Sequence, residues 1–153
     1  MNKLKCGLAV LGLTALCALV PVQGVEFHSE TLHCLLKGET FRLRWHHSVE
    51  HQWWIEQYRT QGEQLMLTAT WMQTFGAGTP SKGESISAPP GYVGFKRAIA
   101  MREINWMVSR NMQGTVLMNG EQWAIYQHLP DYSPVTIRPI KQPFFMFLWR
   151  RCQ

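Results

Sequence analysis

Charge is scarce in this 153-residue chain. Asp, Glu, Lys and Arg make up 16% of it, against 46% hydrophobic residues. The basic residues are scattered apart from Lys96-Arg97 and Arg150-Arg151, so no stripe exists that would track a phosphate backbone, which argues against nucleic acid as a partner. There is no Gly-x-Ser-x-Gly nucleophile elbow, no established metal-ligand spacing, no internal repeat and no heptad pattern. Nothing therefore argues for an enzyme, and no cofactor is called for. Long apolar runs are also missing, since Leu8–Val22 falls short of the roughly 20 residues a membrane-spanning helix needs.

That stretch reads instead as a leader. Lys3 and Lys5 precede it, and Val22-Gln23-Gly24 offers compact residues at the positions a signal peptidase reads. Residues 1–24 are expected to be a signal peptide and 25–153 a single β domain exported to the periplasm. The alternative is that the segment stays as an N-terminal membrane anchor. Cys17 makes no lipid-attachment box, because Leu16 before it is too large. Loss of Lys3 and Lys5 leaves 13 basic residues against 10 acidic ones, a net charge of +3 instead of +5. Two of the four cysteines, Cys34 and Cys152, lie beyond the leader. In an oxidising compartment they can pair, closing a long loop worth roughly 4–5 kcal/mol in chain-entropy terms. A buried free Cys34 with a frayed Cys152 is the other reading, since spacing alone does not bring two Cβ atoms together.

What the chain has in quantity is alternation with period two, the mark of half-buried strands. Phe41, Leu43, Trp45 and His47 share one face of a first run. Trp54, Glu56 and Tyr58 alternate against Trp53, Ile55, Gln57 and Arg59 in a second. Leu65, Leu67, Ala69, Trp71 and Phe75 share a face of a third, with Met66, Thr68, Thr70 and Met72 opposite. Gly62 supplies a tight hairpin between the second and third. An antiparallel meander of these runs puts the loops 47–52 and 75–80 at the same end of the sheet.

Elsewhere, Val25–Glu30 is expected as an extended lead-in, Leu32–Leu36 as a short strand and Ser85-Ile86-Ser87 as a short edge strand. Lys96–Val108 reads as one strand, and Asn119-Gly120 as a hairpin turn between Thr115–Leu117 and Trp123–Tyr126. Pro134–Ile137 reads as a strand limited by Pro139 and Pro143, and Phe144–Trp149 as a strand buried on both sides. The sum is an all-β fold, a small antiparallel β-sandwich or partly closed barrel.

Candidate chemistry gathers at the two loops. His47, Glu50 and His51 can converge on a metal only if the loop curls, whereas His46 and His47 point to opposite faces. Ser48 beside His47 suggests a nucleophile, but side chains of adjacent strand residues diverge. Gly76 and Gly78 leave backbone N–H groups open to a carboxylate or phosphate, with His47 as a titrating neighbour. The same end can serve as an aromatic interface, although seven tryptophans mostly signal a packed core.

Three segments, Arg44-Trp45-His46-His47-Ser48-Val49-Glu50, Glu56-Gln57-Tyr58 and Phe75-Gly76-Ala77-Gly78-Thr79-Pro80, resemble a bacterial family of domains of unknown function, numbered 1850. Its members carry an aromatic residue before His-Ser-Val-Glu, a downstream Glu with an aromatic, and a Phe-Gly-Ala-Gly-x-Pro loop. The likeness covers roughly residues 30 to 140. By position it marks His47, Ser48, Glu50, Glu56, Phe75, Gly76, Gly78 and Pro80. Where members show a basic residue, Thr and Pro after the first Glu, this chain has His51-Gln52-Trp53. Members are often encoded beside subunits of TAXI-type TRAP transporters. The resemblance thus implies an exported accessory or binding protein linked to uptake of small organic anions, with transporter subunits or the anion as partner. The alternatives are a structural protein docking on an envelope partner without ligand and, third, a metal-binding protein or hydrolase. Membrane contact is expected only at the surface. In the binding reading, Glu50 and Glu56 are both expected to bond to backbone N–H groups of the glycine loop.

Overall fold

The computed structural model describes residues 18–76, 79, 83–149 and 152. In chain order the strands are β1 (Pro21–His28), β2 (His33–Lys37), β3 (Thr40–His46), β4 (Trp53–Gln61), β5 (Gln64–Met72), β6 (Ser85–Ile86) and β7 (Val93–Met101). They continue with β8 (Ile104–Val108), β9 (Thr115–Met118), β10 (Glu121–Trp123) and β11 (Ser133–Pro143), and one helix, α1 (Phe144–Trp149), follows. The alternating runs β3, β4 and β5 form the expected meander at the centre of a sheet ordered β10-β9-β3-β4-β5-β7-β6. A second sheet, β2-β1-β11-β8, lies against it, and all pairings are antiparallel. The fold is an all-β sandwich of two open sheets, not a closed barrel.

Between the sheets the inward residues of both interlock. Phe27 meets Phe41 edge-on at 5.9 Å, Phe41 stacks on Tyr58 at 5.3 Å, and Val25, Val135 and Ile137 are fully buried beside them. Burying such side chains contributes roughly 1.5–3 kcal/mol each relative to exposure.

The third run departs from the strict alternation read from sequence. Tyr58 pairs with Leu67 and Gln57 with Ala69, so Thr68 is an extra residue, a β-bulge. Its hydroxyl donates to the Gln57 carbonyl at 3.1 Å and accepts from the Gln57 amide at 3.3 Å, which holds the bulge in place. The bulge inverts the faces beyond it. Thr70 and Met72, not Ala69 and Trp71, stand on the inner face with Leu65 and Leu67. Trp71 stands on the outer face, its indole N–H bonded to the Ser87 carbonyl at 3.0 Å and the Arg42 guanidinium 5.1 Å from its ring.

Four other expectations change. The span 96–108 is two strands in different sheets, divided at Arg102-Glu103. The Asn119-Gly120 turn is present with both φ angles positive, at 53° and 81°, as a two-residue hairpin requires. The strand after it stops at Trp123, however, and Ile125–Gln127 is a 3₁₀ turn that buries Ile125. β11 runs to Pro143 along β1, while its pairing with β8 ends at Ile137, so Pro139 and Pro143 limit one side only. Phe144–Trp149 is a helix, not a two-sided buried strand. Pro143 closes the strand ladder, Phe144 N–H bonds to the Val20 carbonyl at 3.0 Å, and Phe147 turns in against Gly24, where any Cβ would collide with its ring. A helix needs only one covered face, and the other leaves Phe145 and Leu148 exposed.

At the chain's start, the expected lead-in is a strand as far as His28, with residues 25–28 paired on both sides. β1 begins at Pro21, inside the segment read as leader. Cys34 and Cys152 are joined as a disulfide between β2 and the chain's end. No helix among the described residues is long and apolar enough to cross a membrane.

Candidate functional site

β3 and β4 leave the large sheet side by side, and residues 47–52 join them in a closed turn. His47 N–H donates to the Gln52 carbonyl at 2.8 Å and His51 N–H to the His47 carbonyl at 3.0 Å, with His51 at φ +50°. The His47 ring stacks on Trp54 with centroids 4.8 Å apart, and its Nδ1 accepts Glu50 N–H at 3.2 Å. A ring that accepts at Nδ1 carries its hydrogen on Nε2 when neutral.

The second loop backs onto the first. Gln52 is buried, and its Oε1 accepts from both the Thr74 N–H and, at 2.8 Å, the Thr74 hydroxyl. Gln73 Oε1 returns the contact by accepting Trp53 N–H at 2.8 Å. The Glu50 carboxylate fills the space that a Cβ at Gly76 would need, so any larger residue there would push that carboxylate aside. Gly76 N–H bonds to the Thr79 hydroxyl at 2.7 Å and Thr79 N–H to the Gly76 carbonyl at 3.1 Å, closing a small turn. Phe75 is largely exposed, edge-on to Phe95 at 6.0 Å. Gly78 and Pro80 lie outside the described residues.

Glu56 does not join this loop pair. It stands between Trp54 and Tyr58 on the inner face of β4, opposite Leu43 and Thr70, where its carboxylate accepts the Tyr58 hydroxyl hydrogen. Burial raises its pKa above the ordinary 4.5, outweighing the Tyr58 bond and the charge of Arg97, which act in the opposite direction. Burial and the neighbouring carboxylate also push the Tyr58 phenol up. The carboxyl is therefore held toward its neutral form.

Glu56 forms part of the wall of a cleft of about 500 Å³ at the open end of the sandwich. His47, Ser48, Glu56 and Tyr58 line it from the large sheet, Trp106 from β8, and Tyr132 from the loop before β11. The motif residues thus divide into two sets. His47, Ser48 and Glu56 reach the cleft, whereas Glu50, Gly76 and the Gln52–Thr74 clasp brace the turn from behind. Among the described residues, no three His, Cys, Asp or Glu side chains stand together as a metal site.

Tyr58 was open to discovery from sequence, since it lies two residues after Glu56 and so shares its face. Gln52 entered only as a departure from a pattern. Trp106 and Tyr132 are distant in the chain and carry no local signal of a site.

The molecule is thus an antiparallel β-sandwich with a cleft at the end where its two motif loops clasp each other. The profile of the family described as "Domain of unknown function (DUF1850)" matches residues 41–125, more than half of the chain, and the chain belongs to that family. No curated protein and no solved structure matches it.

Proposed function

We propose that the chain is an exported, periplasmic ligand-binding accessory of TRAP-type uptake, and that its cleft takes a small organic anion. The observation that carries this reading is the meeting of His47, Ser48 and Glu56 at one cleft, with the carboxyl of Glu56 held toward its neutral form. A protonated carboxyl has a hydrogen to donate, and in a site of low polarity it serves a carboxylate ligand as a donor where an ionised one would repel it. The Nε2–H of His47 is a second donor. The Trp106 and Tyr132 rings supply apolar wall, and the volume falls in the range of about 300–1,000 Å³ usual for small-molecule sites. Transporter subunits remain the partner that the family resemblance suggests.

The test is thermal melting against a panel of small mono- and dicarboxylates at acidic and at neutral pH. A ligand at about 100 times its Kd adds roughly 2.7 kcal/mol to stability, several degrees for a domain of this size. Binding is expected at acidic pH and is lost as pH rises through the raised pKa of Glu56. His47→Ala abolishes it, and Glu56→Gln, which keeps a donor, removes its pH dependence. No shift at either pH would sink the reading in favour of a docking protein without ligand. Docking through Trp53 and Trp54 together has little support, because Trp54 is buried beneath His47.

A further inference from the structure

We infer that the apolar N-terminal segment is kept rather than cut at Gly24, and that the corner of the sandwich from which it leaves rests on a lipid bilayer. Three observations carry this, and none depends on the cleft.

The first is that the residues a cut at Gly24 would remove belong to the fold. Pro21, Val22, Gln23 and Gly24 pair with Pro143, Gln142, Lys141 and Ile140, and Gly24 also pairs with Lys37. The Gln23 carbonyl accepts Gly38 N–H at 3.1 Å, and the Val20 carbonyl accepts Phe144 N–H at 3.0 Å. Gly24 is the floor on which Phe147 is buried. A chain starting at Val25 would leave the last four residues of β11 unpaired on this side and α1 without its seat.

The second observation is the surface at that corner. Leu19 and Val20 are 58% and 51% exposed, and α1 adds Phe145 at 42% and Leu148 at 66%. The Val20 carbonyl accepts the N–H of the first residue of α1, so the two exposed apolar segments meet at one corner of the fold. Lys37, 4.7 Å from the Phe144 ring, and the exposed Lys141, opposite Gln23, stand beside them. Apolar side chains flanked by lysines fit the headgroup boundary of an anionic bilayer.

The third observation is length. Cys6–Val20 is uncharged over 15 residues. Fifteen residues reach only about 22 Å even in a helix, short of the ~30 Å hydrocarbon core. A short run is accommodated by local thinning of the bilayer and by drawing its neighbours into the interface. β1 begins at the next residue with no linker, so the neighbour drawn in is this corner.

The experiment uses the full chain with its own N-terminus and a C-terminal tag, expressed in a Gram-negative host. Membranes are washed with alkaline carbonate and the retained protein is weighed intact. The expected result is the uncut chain, 17.7 kDa plus the tag, held in the membrane through the wash. A chain starting at Val25, or at any residue after a cut further upstream, found in the soluble fraction overturns the inference. Combining Phe145→Glu with Leu148→Glu is expected to make the uncut chain several-fold more extractable. The milder Lys141→Glu shifts it the same way if the double variant fails to fold. Extraction unchanged in both overturns the seat on the bilayer.

Discussion

Glu26 and Glu56 are both strand carboxylates drawn back from water, and their pKa values are displaced in opposite directions. Glu26 stands on the outer face of the small sheet, 7% exposed, with the Arg138 guanidinium on one oxygen and His33 Nε2 at 2.6 Å from the other. Burial alone would raise its pKa, but the bonds from Arg138 and His33 outweigh it, and the group is held below the usual range. Glu56 has a tyrosine hydroxyl as its bonded partner, and burial outweighs both that bond and the charge of Arg97. A carboxylate with a bonded partner on each oxygen, one of them a guanidinium, serves the fold. One left short of countercharge beside a cleft costs stability, which is the pattern the proposed binding site would leave.

The largest test of this contrast is Glu26→Ala, expected to cost about 2 kcal/mol in urea unfolding at neutral pH, the scale of a hydrogen-bonded charged group. The cost stays moderate because Arg138 is partly exposed and can turn to water. Since the folded-state pKa of Glu26 is lowered, its contribution is present above pH 4.5 and fades as pH falls through that lowered value. Wild type and variant should therefore converge in acid. Next comes Tyr58→Phe, which keeps the ring in the core but removes the hydroxyl from Glu56, with an expected loss of about 1 kcal/mol. The loss should grow with pH as the carboxylate ionises, and a loss independent of pH would break the assignment. The smallest effect is a gain. Glu56→Gln is expected to stabilise by about 0.5 kcal/mol at neutral pH, the lower end of a net hydrogen-bond contribution. Because the folded-state pKa of Glu56 is raised, its stabilising share is full below pH 4.5 and is lost as pH rises through the raised value. The gain from glutamine must then vanish near pH 4.5, and a gain that persists there would contradict the raised pKa.

Much of the architecture was legible because local chemistry dictated it. The β3–β4–β5 alternation, the Gly62 and Asn119-Gly120 turns and the clustering of two motif loops follow from side-chain period and positive φ. The misreadings share one cause, namely that long-range contacts made the choice. A bulge at Thr68 inverts the faces after it while leaving the sequence alternation intact. Phe144–Trp149 satisfies a strand pattern as well as a helical one, and Gly24, Val20 and the Cys34–Cys152 bond select the helix. The loops were found, but the reading put Glu56 with the glycine loop. Its pairing with Leu43 across β3 and β4 sends it inward to the cleft instead. Trp106 and Tyr132 could not be read as site residues, because only the approach of the second sheet brings them there.

The bond between Cys34 and Cys152 has a mechanical consequence. It ties together two points 118 residues apart in sequence, one in the second strand and the other beside the chain's end. Tension applied between the two ends therefore crosses from β2 straight to Cys152 and bypasses everything from Leu35 onward. Only β1 and the short link to β2 stand in its path, and the clefted sheet carries none of the pull. A molecule held by its beginning and drawn by its end would yield one strand and keep its clefted end intact.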